Sequence, residues 1–162
     1  MKVILPFAIA LLALTGCSAL ASDESTETKW FETKEETIDY GIKEEKIKKE
    51  DIIGKVSENG ETFIIYKKQL EEGLGVGVSS ISENEGQYAW YDPDQDVLVK
   101  NDEVKQYSSQ ISWGTETQSG KTFTIYTGVS EAEAPVVKTK TGEVSPTIDN
   151  KTGIYFYIQP TK

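Results

Sequence analysis

Three aspartates at alternate positions, Asp92, Asp94 and Asp96, are followed by Glu103. In that spacing they fall at positions 1, 3, 5 and 12 of a calcium loop, where hard carboxylate oxygens are the ligands the ion takes. Three features oppose the reading. Val97 stands where such a loop turns sharply on a glycine, Pro93 stiffens its start, and no helical pattern flanks it. The expectation is a plain acidic connection, with no metal and no cofactor.

Other chemistry has little to draw on. The chain has no His, and all its basic residues are lysines. Without His there is no Ser-His-Asp or Cys-His arrangement, no imidazole base and no ordinary zinc site. Without Arg there is no bidentate clamp for phosphate or carboxylate. The glycines of Gly73-Leu-Gly-Val-Gly77 alternate as in a strand and lack the G-x-G-x-x-G spacing of a dinucleotide loop. A hydrolase built on two carboxylates stays chemically open, but 27 acidic residues single out no pair. The expectation is a protein that is not an enzyme.

Aromatic side chains are the remaining candidates. Tyr88, Trp90, Tyr91, Tyr107 and Trp113 could form a patch for a protein or glycan partner, because Trp and Tyr dominate binding hot spots. The competing expectation for each is a place in the core.

The start of the chain says where these residues work. Lys2 is followed by an apolar run from Val3 to Leu14 and then by the small residues Thr15 and Gly16. That is the layout of an export signal, and the run falls short of the roughly 20 residues a membrane span needs. Leu14-Thr15-Gly16-Cys17 resembles the lipobox of bacterial lipoproteins. The resemblance implies lipid on the Cys17 thiol, cleavage after Gly16 and a mature chain of residues 17–162. Two or more acyl chains hold a protein at a bilayer almost permanently, so the anchor makes a transmembrane helix unnecessary. Cys17 is the only cysteine, which leaves no disulfide. The net charge of −10 disfavours nucleic acid and anionic headgroups. Residues 18–29 carry Ser, Ala, Thr and Glu with no aromatic residue, the composition of a disordered tether.

Beyond the tether the pattern turns from helical to β. Thr33-Lys-Glu-Glu36 reads as a capping box, and Phe31, Ile38 and Ile42 share a helix face, so a helix is expected from about Lys34 to about Lys46. Gly41 weakens it. Asn59-Gly60 is a hairpin turn joining strands at Gly54–Ser57 and Glu61–Lys67. Leu74, Val76, Val78 and Ser80 alternate with Gly75, Gly77, Ser79 and Ile81, where the small residues imply a bulge or the close approach of another backbone. Further strands are expected at Gln87–Tyr91, Asp96–Val99, Gln110–Thr115, Lys121–Thr127, Val136–Thr141 and Gly153–Ile158, with a second hairpin turn at Ser119-Gly120. Asn59-Gly-Glu-Thr-Phe-Ile-Ile-Tyr66 matches Ser119-Gly-Lys-Thr-Phe-Thr-Ile-Tyr126, which is either an internal repeat or two ordinary hairpins. The expected fold class is α+β, mainly β. A helix plus antiparallel sheet unit at residues 30–92 is followed by a β-sandwich-like unit at 97–162.

The segments Glu36–Ile42, Gly60–Tyr66, Gly86–Tyr91 and Gly153–Tyr157 resemble the small uncharacterised lipoproteins of Bacillus and its relatives. The resemblance implies a place on the outer face of the cytoplasmic membrane and no particular activity. The leading expectation is a membrane-anchored binding module of the cell envelope whose partner is an envelope protein or glycan. The alternatives are an immunity or inhibitor lipoprotein against an exported toxin or hydrolase, and a weak two-carboxylate envelope hydrolase.

Overall fold

Thr33 stands in extended conformation and its hydroxyl accepts the Glu36 N–H at 3.2 Å, while the Glu36 carboxylate accepts the Thr33 N–H at the same distance. This reciprocal pair starts the helix α1 (Lys34–Glu44). The computed structural model describes residues 28–103, 106–132 and 134–161. The export signal, Cys17 and most of the tether lie outside them. Among the described residues no helix is long and apolar enough to cross a membrane.

The helix ends two residues before its expected limit. Lys46 takes a left-handed φ of 54°, the Lys46 N–H bonds the Lys43 carbonyl, and the Ile47 N–H reaches back to Ile42. That is a Schellman termination, with a lysine where glycine is usual, and the Ile42 and Ile47 side chains share one cluster across it. Gly41 has a packing reason. A Cβ there would lie 2.2 Å from the Trp90 indole, so the glycine lets the helix sit directly on the sheet.

The first sheet comprises β1 (Trp30–Phe31), β2 (Ile52–Glu58), β3 (Glu61–Leu70), β4 (Gly73–Asn84), β5 (Gln87–Tyr91), β6 (Val97–Asn101) and β7 (Gln106–Tyr107). Its order is β1-β5-β4-β3-β2, with β6 paired to the start of β4 and β7 to β6. The second contains β8 (Ile111–Glu116), β9 (Thr122–Val129), β12 (Thr147–Ile148) and β13 (Ile154–Pro160) in the order β12-β13-β9-β8. A separate hairpin pairs β10 (Val137–Thr139) with β11 (Gly142–Val144). Val136–Thr141, expected as one strand, therefore contains the whole of the hairpin's first arm and its turn. All pairings are antiparallel, and the chain is α+β, mainly β.

Turn chemistry sets the register. Asn59 and Gly60 both have positive φ, and Glu58 faces Glu61 across them. Glu85-Gly86 repeats that geometry between β4 and β5. The Ser119-Gly120 turn is wider. Glu116 faces Thr122, and Thr117 N–H bonds the Lys121 carbonyl around a loop closed by Gly120. In β4 the register against β6 shifts between Leu74 and Gly75. What approaches Gly77 is side chains rather than a backbone: a Cβ there would meet the Tyr66 ring at 2.2 Å and an Asp96 oxygen at 2.5 Å.

Period-two alternation then sorts the side chains into layers. Phe63 and Ile65 of β3 join Val76, Val78, Val99, Phe123, Ile125, Ile154, Phe156 and Ile158 between the sheets. Ile64 and Tyr66 point the other way, under α1, with Ile47 and Ile81. On the far side Tyr126, Val137 and Tyr155 form a third cluster beneath the β10–β11 hairpin. At the centre Phe63 and Phe123 meet edge to face, centroids 4.8 Å apart, and both are almost fully buried. Phe63→Ala or Phe123→Ala should each cost about 3–5 kcal/mol, a large fraction of a typical domain's stability of about 5–15 kcal/mol. Urea or thermal unfolding checks this, and either variant melting within a degree or two of the parent would refute the assignment of that ring to the core.

Candidate functional site

Two concave features flank the connection between β5 and β6. The first is a cleft of about 920 Å³ at the end of α1, where Glu45, Asp92, Asp94, Lys67, Lys68 and Trp90 contribute to the lining. Glu45 follows directly on the helix, and its side chain is only 7% exposed. Lys68 on β3 lies 3.4 Å from Glu45 and 2.7 Å from Asp96, so one ammonium bridges the helix end and the connection. Below them the Tyr66 hydroxyl lies 3.4 Å from Ser79 Oγ. Asp51 and Lys67 form a second ion pair at the rim.

The electrostatics follow from this crowding. Asp92 is half-buried and hydrogen-bonds Glu45, with Asp96 also close, and its carboxyl is pushed up to about 7. The Asp94 N–H, donated to Asp92 Oδ1 at 2.9 Å, opposes the rise without cancelling it. Burial works against the Lys68 charge, yet Asp96 and Glu45 together hold it protonated above the usual lysine range. The Lys67 hydrogen bond, with one from the Lys48 backbone, keeps Asp51 below the usual carboxylate range. Burial raises Tyr66. Asp92 therefore holds a proton close to neutral pH, the property a general acid requires.

The residues of the calcium spacing go to separate places. Asp92 turns to Glu45, Asp96 turns to Lys68, and Asp94, at a φ of 56°, closes the turn by its backbone. Glu103 lies past the other end of β6, its N–H bonded to the Asn101 side chain. Five strand residues, at about 3.3 Å each, separate it from the aspartates. Among the described residues, no group of three or more His, Cys, Asp or Glu side chains is placed to hold a metal.

The second feature is a groove of about 1000 Å³ between the β5–β6 connection and β8. Tyr91, Pro93 and Gln95 form one wall, Ser112 to Glu116 of β8 the other, and Lys138 and Thr139 of β10 with Lys140 of the following turn close it from the side. Thr122, Thr124 and Tyr126 of β9 also contribute. Of the aromatic candidates, Tyr91 and Trp113 share this groove, with Trp113 packed partly on the central core. Tyr88 and Trp90 pack instead against the α1 cluster, where Lys34 sits 5.3 Å over the Tyr88 ring. Tyr107 is half exposed elsewhere, beside Lys100. Sequence reasoning missed Glu45 and Lys68. Glu45 falls at the end of the expected helix and Lys68 just past the expected strand Glu61–Lys67, and only the fold brings them to Asp92 and Asp96.

No protein-family model, no curated protein and no solved structure matches this chain.

The Asp92 proton makes stability depend on pH. The folded chain holds it up to about pH 7, whereas an unperturbed aspartate loses it near 3.8. Between those values the folded state binds more protons than the unfolded state, so stability falls as pH rises through the window. The contribution is full below about pH 4 and lost above about pH 7. Asp92→Asn is neutral throughout and can still donate to Glu45. It should melt a few degrees above the parent at pH 8 and show a flatter profile from pH 5 to 8. Parallel melting curves for the two proteins across that range would show that Asp92 does not hold the proton.

Proposed function

We propose that this chain is a lipid-anchored, extracytoplasmic binding module of the cell envelope, held to the membrane through Cys17 and without catalytic activity of its own. The observation that carries the reading is the meeting of Tyr91 and Trp113 in one groove, since aromatic residues flanking a concave surface are the usual anchors of a partner. The Leu14-Thr15-Gly16-Cys17 motif supports the location, and the resemblance to small Bacillus lipoproteins agrees with it. With a surface this acidic, lipid rather than charge would supply the membrane affinity.

A two-carboxylate hydrolase is the second reading, favoured by the raised Asp92 beside Glu45 in an open cleft. Turnover of an envelope glycan or peptide that Asp92→Asn abolishes would establish it over binding alone.

The binding reading is tested in cells. The native protein should fractionate with membranes, and Cys17→Ala should stay uncleaved and unlipidated. A photo-crosslinker at Gln95, exposed on the groove wall, should give discrete adducts that the same crosslinker at Glu83 does not. Native protein free in the medium with an N-terminus beyond Ser22, or identical adduct patterns from the two positions, would overturn the reading.

A further inference from the structure

The strand that begins at β7 continues into β8, and its outer edge changes partner on the way. Lys100 pairs with Tyr107, and the Ser108 N–H donates to the Val99 carbonyl at 2.8 Å. The Ser108 carbonyl in turn accepts the Val129 N–H at 2.9 Å, so at this corner the strand is bonded on both sides. Continued backwards, the β6–β7 register would set Asp96 opposite Ile111 and Pro93 opposite Gly114. The chain does not follow it. Pro93 has no N–H to give, the Asp92–Asp94 turn bends the backbone, and Lys68 and Glu45 hold Asp96 and Asp92 on the far side. From Ile111 to Glu116 the strand is therefore paired to β9 alone, with no other backbone partner among the described residues.

Such an edge is normally blunted. The edge strand β2 carries a register shift between Ile52 and Gly54 and a lysine at Lys55, and β1 and β12 are only two residues long. β8 has six residues, no lysine, no proline and an unbroken register. Successive strand residues point to opposite faces. Yet Ser112, Trp113, Gly114, Thr115 and Glu116, residues of both faces of β8, all line the groove together with Thr122, Thr124 and Tyr126 of β9, so the groove extends from the outer face of the sheet around the β8 edge.

We propose that β8 is a docking edge for an extended peptide segment of an envelope protein, which adds as a further strand antiparallel to β8, as β6 adds to β7. This names the partner class of the binding function proposed above and rests on it. The segment carries carboxylates. The cations of the groove are Lys138 and Lys140, both exposed, and neither forms an ion pair with a described residue. Main-chain hydrogen bonds to the edge give affinity, while alternate side chains meet Tyr91 and Trp113 on one face and the lysines on the other.

The test pans a phage library of random ten-residue peptides on the full-length chain in detergent. Acidic peptides should be enriched, and the best, made synthetically, should slow amide exchange within Ile111–Glu116. N-methylating its alternate residues should weaken binding at least tenfold, because this removes edge hydrogen bonds without touching the protein. Lys138→Ala with Lys140→Ala should weaken it several-fold and leave the melting temperature unchanged. No enrichment, unchanged β8 exchange in the complex, insensitivity to N-methylation, or a β8-mediated dimer in sedimentation would each overturn the proposal. If Gln95 adducts form in cells but prove to be glycan, the binding function stands and the strand-docking proposal falls.

Discussion

The ammonium of Lys68 decides where two parts of the molecule go. It is bonded to Glu45 at the end of α1 and to Asp96 just before β6, and no local sequence relation links those residues. Glu45 is nearly inaccessible to water, so removing the lysine would leave a buried carboxylate beside Asp92 with no cation. Breaking one side of such a pair costs far more than its absence would have, because an uncompensated buried charge remains. The same contact pins the connection away from β8. The proton-bearing cleft and the open groove are thus two sides of one electrostatic arrangement, and the residues between Tyr91 and Val97 belong to both.

The two hairpins with matching sequence face each other across the core. Phe63 meets Phe123, its own counterpart in the match, and Glu61 meets Lys121, which occupies the matching place. Glu61 is almost fully buried and is also bonded by Ser82 and Ser119, so this end of the interface is polar and fully partnered. Contacts between equivalent positions are the mark of a two-fold relation. The likeness stops at the outer faces. Tyr66 lies beneath the helix, whereas Tyr126 lies beneath the β10–β11 hairpin.

Local signals were legible wherever a short stretch carries its own hydrogen bonds. The capping box at Thr33 and the Asn59-Gly60 turn each close within four residues, and strands with strong alternation followed from them. Two-residue strands such as β1 and β12 have no pattern of their own, since only the partner strand defines them. Gly41 read as a weakness because the Trp90 ring that occupies its missing Cβ comes from 49 positions later. The candidate site was legible only in part. The aspartates and aromatics stood out by type, but the spacing that suggested one metal loop distributes its members to different tasks. The groove is defined by a pairing that does not form, and no residue announces that.

The order of strands along the chain has a consequence for how the molecule is made. β2, β3, β4 and β5 are successive neighbours joined by tight turns, so the first sheet can zip up from local contacts as soon as its residues are available. Its inner face, with Phe63, Ile65, Val76 and Val78, is covered only when β9 and β13 arrive from the last third of the chain. In N-to-C order the residues of that apolar face are therefore present before the strands that cover it, and exposed faces of that kind are where chains stick to one another. The helix α1 lies on the opposite side and cannot shield it. The finished sandwich therefore depends on the C-terminal strands reaching that face before another chain does.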